Sequence, residues 1–194
     1  MSTRPEPTGR ERGAAGLARS WVAVMSSPRT FFRETVVPGD QAPGLVFALA
    51  VVLVEETTRL VLVPGAVPTT RVGPLLSGVL TVAIAVLLVA PVALHLVAAV
   101  LTLGLVLVAP ERATISETVQ VVGYASAPCL LAGVPLPAVR VMAAVYGGLL
   151  LGIGVAVVHE VRPGRAAMAT LIPAVLVFGY GFRGIPALLA LVPG

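Results

Sequence analysis

The chain has 194 residues, of which 57% are hydrophobic and only 11% are charged. A soluble domain of this size usually carries about a quarter charged residues, and a mean hydropathy of +1.00 leaves too little polar surface to cover a soluble fold. We therefore expect an integral membrane protein in contact with the lipid bilayer, and we expect no catalytic site.

The residue inventory removes several kinds of chemistry. All 13 basic residues are arginines, so a phosphate-binding loop that ends in lysine and a Schiff-base lysine are both excluded. Asp40 is the only aspartate and Cys129 the only cysteine, which excludes paired intramembrane aspartates, an internal disulfide and a cysteine metal cluster. The arginines are scattered between apolar runs, so topogenic charge is expected rather than nucleic-acid binding.

The chain begins with two segments that precede the first long apolar run. Residues 1–13 carry three arginines and two prolines with little apolar content, and are predicted to be a disordered tail. Residues 14–40 are predicted to form an amphipathic interfacial segment. Its apolar residues recur at helical spacing, and a second short helix is predicted to begin at Ser27 and Pro28.

The aromatic residues of this segment allow two placements. Trp21, Phe31 and Phe32 are flanked by Arg29 and Arg33, which is typical of a helix that lies among lipid headgroups. The same residues also fit an arm that packs on the rest of the protein. Both interpretations stay open at this stage.

Residues 41–194 are predicted to form the transmembrane domain. A spanning helix needs about 20 apolar residues, and the runs between formal charges predict an all-α polytopic bundle of about five spanning helices with an N-terminal interfacial helix. The predicted helices lie near 43–64, 75–108, 115–133, 138–159 and 165–182, and a last apolar piece runs from Ile185 to Leu191.

The second predicted helix is unusually long. At about 1.5 Å per residue, residues 75–108 would extend about 50 Å, against a hydrocarbon core of about 30 Å. Two short spans that turn near Pro91 are the alternative, but that stretch contains no polar residue to meet water. We favour one tilted helix, kinked at Pro91.

The arginine distribution predicts orientation. With the N-terminus in the cytoplasm, five spans place nine arginines on the cytoplasmic side and three outside, namely Arg71, Arg140 and Arg183. Six spans would give eight against four. The positive-inside rule therefore favours five spans, with a multi-pass protein of the cell membrane and a cytoplasmic N-terminus.

Three short stretches resemble a known family. They are the stretch Ser27–Phe32 before the first span, the stretch Ser116–Pro128 in the third, and Arg165–Ala167 after the fourth. In these stretches the chain resembles the Yip domain family, small multispanning membrane proteins whose eukaryotic members interact with Rab-type GTPases. The resemblance covers most of residues 20–175.

The resemblance implies about five spans and a cytosolic N-terminal region. It does not carry over GTPase binding, because the acidic and aromatic cytosolic motif of the eukaryotic members has no counterpart in residues 1–40. The arginine-rich tail indicates a prokaryotic branch. No site residue is transferred from the family.

Ionisable residues within the predicted spans are the candidate functional group, because charge at membrane depth is costly. Glu55, Glu56 and Arg59 lie three or four residues apart on one helix, and His95 lies deep in the long helix. They form either a self-compensated structural group or a proton or ion site. We expect a structural role, including for His95.

Small residues mark a predicted packing face on the fourth helix. Ala144, Gly148, Gly152 and Ala156 recur every four residues, a spacing that lets another helix approach closely. Gly152 is therefore predicted to reject a large side chain, and Leu150 is predicted to lie on another face.

No cofactor, metal or catalytic residue is predicted. His159 and Glu160 open like a zinc-protease motif, but position 163 is proline where a second histidine is required. We expect a non-catalytic membrane interaction or organising protein, whose partners are other membrane proteins or further copies of itself. The alternative is a small-molecule or proton-coupled transporter that uses Glu55, Glu56, Arg59 and His95.

Overall fold

The computed structural model describes residues 13–109 and 114–192, and throughout these residues the only regular structure is helical. The predicted all-α class is confirmed for this part of the chain. The predicted tail of residues 1–13 falls outside the described residues except for Gly13, and so does Arg112.

The described residues contain eight helices. They are α1 (Ala14–Ser26), α2 (Pro28–Thr35), α3 (Ala42–Leu62), α4 (Pro74–Val108), α5 (Ile115–Ala125), α6 (Pro137–Val158), α7 (Pro163–Gly181) and α8 (Gly184–Leu189). A 3-10 turn over Ala127–Leu131 continues α5. Their bounds agree with the predicted positions, with one exception in the third predicted helix.

The third predicted helix is interrupted. Residues 115–133 were expected to be continuous, but α5 ends at Ala125 and the chain tightens into the 3-10 turn. Pro128 explains the break, because it has no N–H for the helical ladder and its ring disfavours helical geometry in the residue before it. The prediction of one unbroken helix here is therefore wrong.

The long helix α4 is continuous over 35 residues. A π-helical turn occupies Ala85–Val89, immediately before Pro91. Proline removes one backbone hydrogen bond and its ring collides with the carbonyl four residues earlier, and a wider turn relieves both effects. A second π-helical turn, over Val175–Gly181, follows Pro173 in α7. The structure therefore has one long helix and not two short spans.

The helices α3, α4, α5, α6 and α7 pass through the bundle in alternating directions. Thr102 of α4 donates a hydrogen bond to Thr118 of α5 over 3.3 Å, and Arg165 near the start of α7 reaches the carbonyl of Val108, where α4 ends. The bundle has two ends. Helix α3 begins and α6 ends at one of them, which we call the arm end because α1 and α2 form an arm there. The opposite end, where α3 ends and α6 begins, is called the clasp end after the ion network described below.

Three of the described helices, α4, α6 and α7, are long and apolar enough to cross a membrane by length and composition. Helix α3 has 21 residues but contains Glu55, Glu56 and Arg59. Helix α5 has only 11 residues before the 3-10 turn. The described helices thus establish three candidate spans, and the finer count of five does not follow from length and composition.

Helix α5 is the centre of the packed core. Every residue from Thr118 to Cys129 is buried, and the ring of Tyr124 lies 4.9 Å from Phe31 and 5.2 Å from Phe47 between ring centroids. Gly44 of α3 and Gly123 of α5 allow these two helices to approach closely. A methyl group on Gly44 would lie 2.5 Å from Cα of Gln120, and one on Gly123 would meet the backbone of Gly44. This contact leaves no room for a side chain between the two helices.

Candidate functional site: an ion network at the clasp end

Four charged residues meet where α3 ends and where α7 passes into α8. Arg183 donates from Nη1 to Oε1 of Glu55 over 2.6 Å and from Nη2 to Oε2 of Glu56 over 3.0 Å. Arg59 donates from Nε to Oε2 of Glu56 over 3.0 Å, and its Nη2 also pairs with Oε1 of Glu56. We call these four residues the clasp.

The backbone of Arg183 adopts an unusual conformation. Its φ is 60°, in the left-handed region that residues other than glycine seldom occupy. Arg183 stands in the N-cap position of α8, where the chain turns sharply after α7. We attribute the conformation to the two ion pairs, because strain of this kind persists only where surrounding contacts determine it.

A loop closes the clasp from one side. Gly133, which follows the 3-10 turn, lies against the carbonyl of Glu55, and a methyl group there would also sit 2.8 Å from Cβ of Thr58. Arg140 at the start of α6 donates to the carbonyl of Ala132 over 2.8 Å and holds this loop in place. Glu55 and Glu56 are consequently 3% and 5% exposed.

The charges of the clasp balance. Two carboxylates face two guanidinium groups, and both oxygens of Glu56 accept hydrogen bonds. Buried charge is tolerated when it is paired and hydrogen-bonded, and removing one partner costs far more than removing both. The clasp therefore ties the last turns of α3 to the α7–α8 junction.

His95 does not take part in the clasp. It is half-buried in α4, and its Nδ1 lies 2.7 Å from the carbonyl oxygen of Pro91, one turn earlier in the same helix. The sequence grouped His95 with Glu55, Glu56 and Arg59 as one candidate group. The structure brings the three α3 residues together with Arg183 instead.

Sequence reasoning missed the role of Arg183, which was interpreted only as topogenic charge. One signal was available: α3 carries two glutamates but a single arginine. A helix expected to cross a membrane with an unbalanced negative charge requires a second cation from elsewhere in the chain.

The small-residue stripe on α6 faces α7 and α8. Methyl groups at Gly148 and Gly152 would lie 3.9 Å from Cβ of Ala174 and 4.0 Å from Oγ1 of Thr170, which are ordinary contact distances. Ala144 lies against Gly184 of α8. Ala156, the last stripe residue, is half-buried.

The tightest contacts of α6 fall one or two positions away from this stripe. A methyl group at Gly147 would lie 2.5 Å from Cε1 of Phe178, and one at Gly154 would lie 2.7 Å from Cγ1 of Val121. Leu150 is fully buried. Leu150 was predicted to lie on another face than the stripe, and its burial shows that this other face of α6 is packed as well.

His159 follows α6 and is 1% exposed. Within residues 13–109 and 114–192, no three histidine, cysteine, aspartate or glutamate side chains are arranged so that they could hold a metal ion. In the clasp, the carboxylates of Glu55 and Glu56 accept hydrogen bonds from Arg59 and Arg183.

These features define a class: an all-helical membrane protein with long apolar helices and an internal ion network. The family model for the Yip1 domain matches residues 22–183. The chain belongs to the Yip1 domain family, as the motifs of its sequence predicted. A comparison with curated proteins found no match, and a comparison with solved structures found none either.

Proposed function

We propose that this Yip1 domain protein is a non-catalytic, five-pass protein of the cell membrane that organises other membrane proteins by direct helix contacts. The observation that supports this role is the length of α4 together with how little of it is covered. From Pro74 to Ala93 only Ser77 is buried, and the other side chains are half-buried or exposed.

Lipid covers only part of this helix. Its 35 residues extend about 52 Å at 1.5 Å per residue, whereas the hydrocarbon core is about 30 Å thick. Helices rarely tilt beyond about 40°, and at that angle α4 still rises about 40 Å along the membrane normal. An apolar stretch of roughly 10 Å is left for protein to cover, and we place it at the first turns of α4, where Leu75 and Val79 are exposed.

The clasp supports α3 as an additional membrane span. Its three charges would disfavour insertion if they were unpaired, but Arg183 and Arg59 satisfy both carboxylates. A transport role for Glu55 and Glu56 would require carboxylates that exchange partners. Their pairing with two arginines favours a structural role.

Site-specific photo-crosslinking in native membranes tests the proposal. A benzoylphenylalanine at Leu75 or Val79 of α4 is compared with one at Leu149 of α6, which is similarly exposed but lies on a helix of ordinary length. We expect a discrete protein adduct from the α4 positions and none from Leu149. The mass of the adduct distinguishes a second copy of the chain from a different membrane protein.

Two results would overturn the proposal. One is the absence of any protein adduct at Leu75 and Val79 while the probes are photochemically active. The other is a proton or solute flux in proteoliposomes that is lost in Glu55→Gln with unchanged protein yield, since that would establish transport at the clasp.

A further inference from the structure

The segment α1–α2, which we call the arm, turns its aromatic side chains towards the protein. Trp21 donates from Nε1 to the carbonyl of Ala127 over 2.8 Å. Phe31 and Phe32 are 3% and 0% exposed, and a methyl group on Gly154 of α6 would lie 3.0 Å from Cζ of Phe32. Of the two placements that the sequence left open, these aromatic residues therefore adopt the second, packing on the bundle.

The outward face of α2 is basic instead. Arg29 and Arg33 lie one helical turn apart, and both are exposed. Neither forms a hydrogen bond or an ion pair with the residues that the structure describes. Glu34 is also exposed, but it lies about 100° around the helix from Arg33.

The position of α2 along the bundle places these arginines at the membrane boundary. Helix α6 has 22 residues and extends about 33 Å, close to the thickness of the hydrocarbon core. Phe32 packs on Gly154, four residues before α6 ends at Val158, which corresponds to about 6 Å along the helix. Helix α2 therefore crosses α6 close to its last turn, near the headgroups on the arm side of the proposed span.

We propose that the outward face of α2 binds the headgroup of an anionic phospholipid, with Arg29 and Arg33 as its phosphate contacts. Guanidinium groups donate paired hydrogen bonds to phosphate oxygens, and two arginines one turn apart fit a single headgroup. The packing of Phe31 and Phe32 fixes the helix before lipid arrives, so little ordering is required on binding. This inference rests on the proposed membrane insertion.

A lipid titration of the full-length protein in neutral detergent tests the inference. The thermal unfolding midpoint, followed by Trp21 fluorescence, is measured against dioctanoyl phosphatidylglycerol, dioctanoyl phosphatidylcholine and glycerol 3-phosphate. We expect stabilisation by phosphatidylglycerol at concentrations where the other two have little effect. Stabilisation by glycerol 3-phosphate alone would indicate a site for free phosphate and would overturn a lipid site.

Charge variants locate the site. Arg29→Gln and Arg33→Gln should each weaken phosphatidylglycerol binding about five-fold, as expected for one arginine near an anionic surface. Arg33→Lys should weaken it less, because lysine keeps the charge but loses the paired hydrogen bonds. Arg71→Gln is the matched control, because Arg71 is exposed and unpaired among the described residues but lies at the clasp end. An equal loss in Arg71→Gln, or no loss in the α2 variants, would overturn the assignment.

Alkaline carbonate extraction separates this inference from the proposed function. If the wild-type protein is released from membranes, the proposed five-pass insertion fails and the lipid site fails with it. If the protein is retained but phosphatidylglycerol and phosphatidylcholine stabilise it equally, only the lipid site fails.

Discussion

At the scale of single residues, Arg183 has the most structural consequence. It pairs with both glutamates of α3 from a left-handed backbone conformation. Its guanidinium group converts a helix with an unbalanced buried charge into one with a neutral network. The pairing of Arg183 with Glu55 thereby joins two segments that are more than 120 residues apart in the chain.

Replacing Arg183 should destabilise the fold, because the glutamates of α3 would lose a cationic partner. Breaking a buried ion pair costs about 3–5 kcal/mol, and we expect about 2–3 kcal/mol for Arg183→Leu because a third of its side chain is exposed. Arg183→Leu combined with Glu55→Leu should recover most of the loss. The measurement is the thermal unfolding midpoint and the yield of folded protein.

Arg71→Leu serves as the control, because Arg71 forms no ion pair with a described residue. A double variant that is no more stable than Arg183→Leu alone would show that the pair does not stabilise the fold. Equal effects of Arg71→Leu and Arg183→Leu would lead to the same conclusion.

At the scale of elements, the contact between α6 and α7 involves two adjacent glycines, Gly147 and Gly148, which differ in how much room they leave for a methyl group. Gly147→Ala should be destabilising by about 1–3 kcal/mol, because the new methyl group would meet the buried ring of Phe178 at 2.5 Å. Gly148→Ala should be neutral or stabilising, because its methyl group would have 3.9 Å to Ala174 and alanine favours helix by up to about 1 kcal/mol.

Thermal unfolding of the two alanine variants, purified side by side, measures this difference. The two changes add the same atoms one position apart on one helix, so each controls for the other. If Gly148→Ala proved the more destabilising of the two, the face that α6 presents to α7 would have to be reassigned.

The attachment of the arm depends on one buried amide. Gln120 of α5 accepts from the backbone N–H of Val37 over 3.2 Å and donates to its carbonyl over 2.7 Å. Gln120→Leu removes both hydrogen bonds, and we expect the arm to detach more often, by a free-energy change of about 1–3 kcal/mol. The measurement is the rate of tryptic cleavage after Arg29 and Arg33.

Gln41→Leu is the matched substitution, because Gln41 is exposed in the same linker. It should leave the cleavage rate at the wild-type value. Unchanged cleavage in Gln120→Leu would mean that the aromatic contacts hold the arm without this amide.

At the scale of the whole molecule, the alternating passes predict which loops share a side of the membrane. With Cys129→Ala as the background, single cysteines at Thr30 and Gly164 should resist an impermeant thiol reagent in intact cells. A cysteine at Thr69 should react, because it lies in the loop at the opposite end. Permeabilised cells should label all three positions.

Labelling of the first two cysteines and not the third would reverse the orientation. Labelling of Thr30→Cys and Thr69→Cys together in intact cells would contradict an odd number of passes between them. The arginine distribution predicts neither result.

Hydrophobic periodicity and charge alone determined a large part of this protein. The helical class, the positions of most helices and the family followed from apolar runs and short motifs, because apolar helices satisfy their own backbone and need no partner to be recognised. The charges of α3 were also recognisable as a group, since Glu55, Glu56 and Arg59 are neighbours on one helix.

Only the tertiary structure decided how distant segments meet. Arg183 joins the clasp because α7 returns to the end of α3, and the aromatic residues of the arm face protein because α6 offers Gly154 to Phe32. Periodicity shows which face of a helix is apolar but not whether lipid or protein covers it, since both are apolar surroundings. Pairing across the bundle is set by packing and backbone turns, so local sequence patterns do not reveal it.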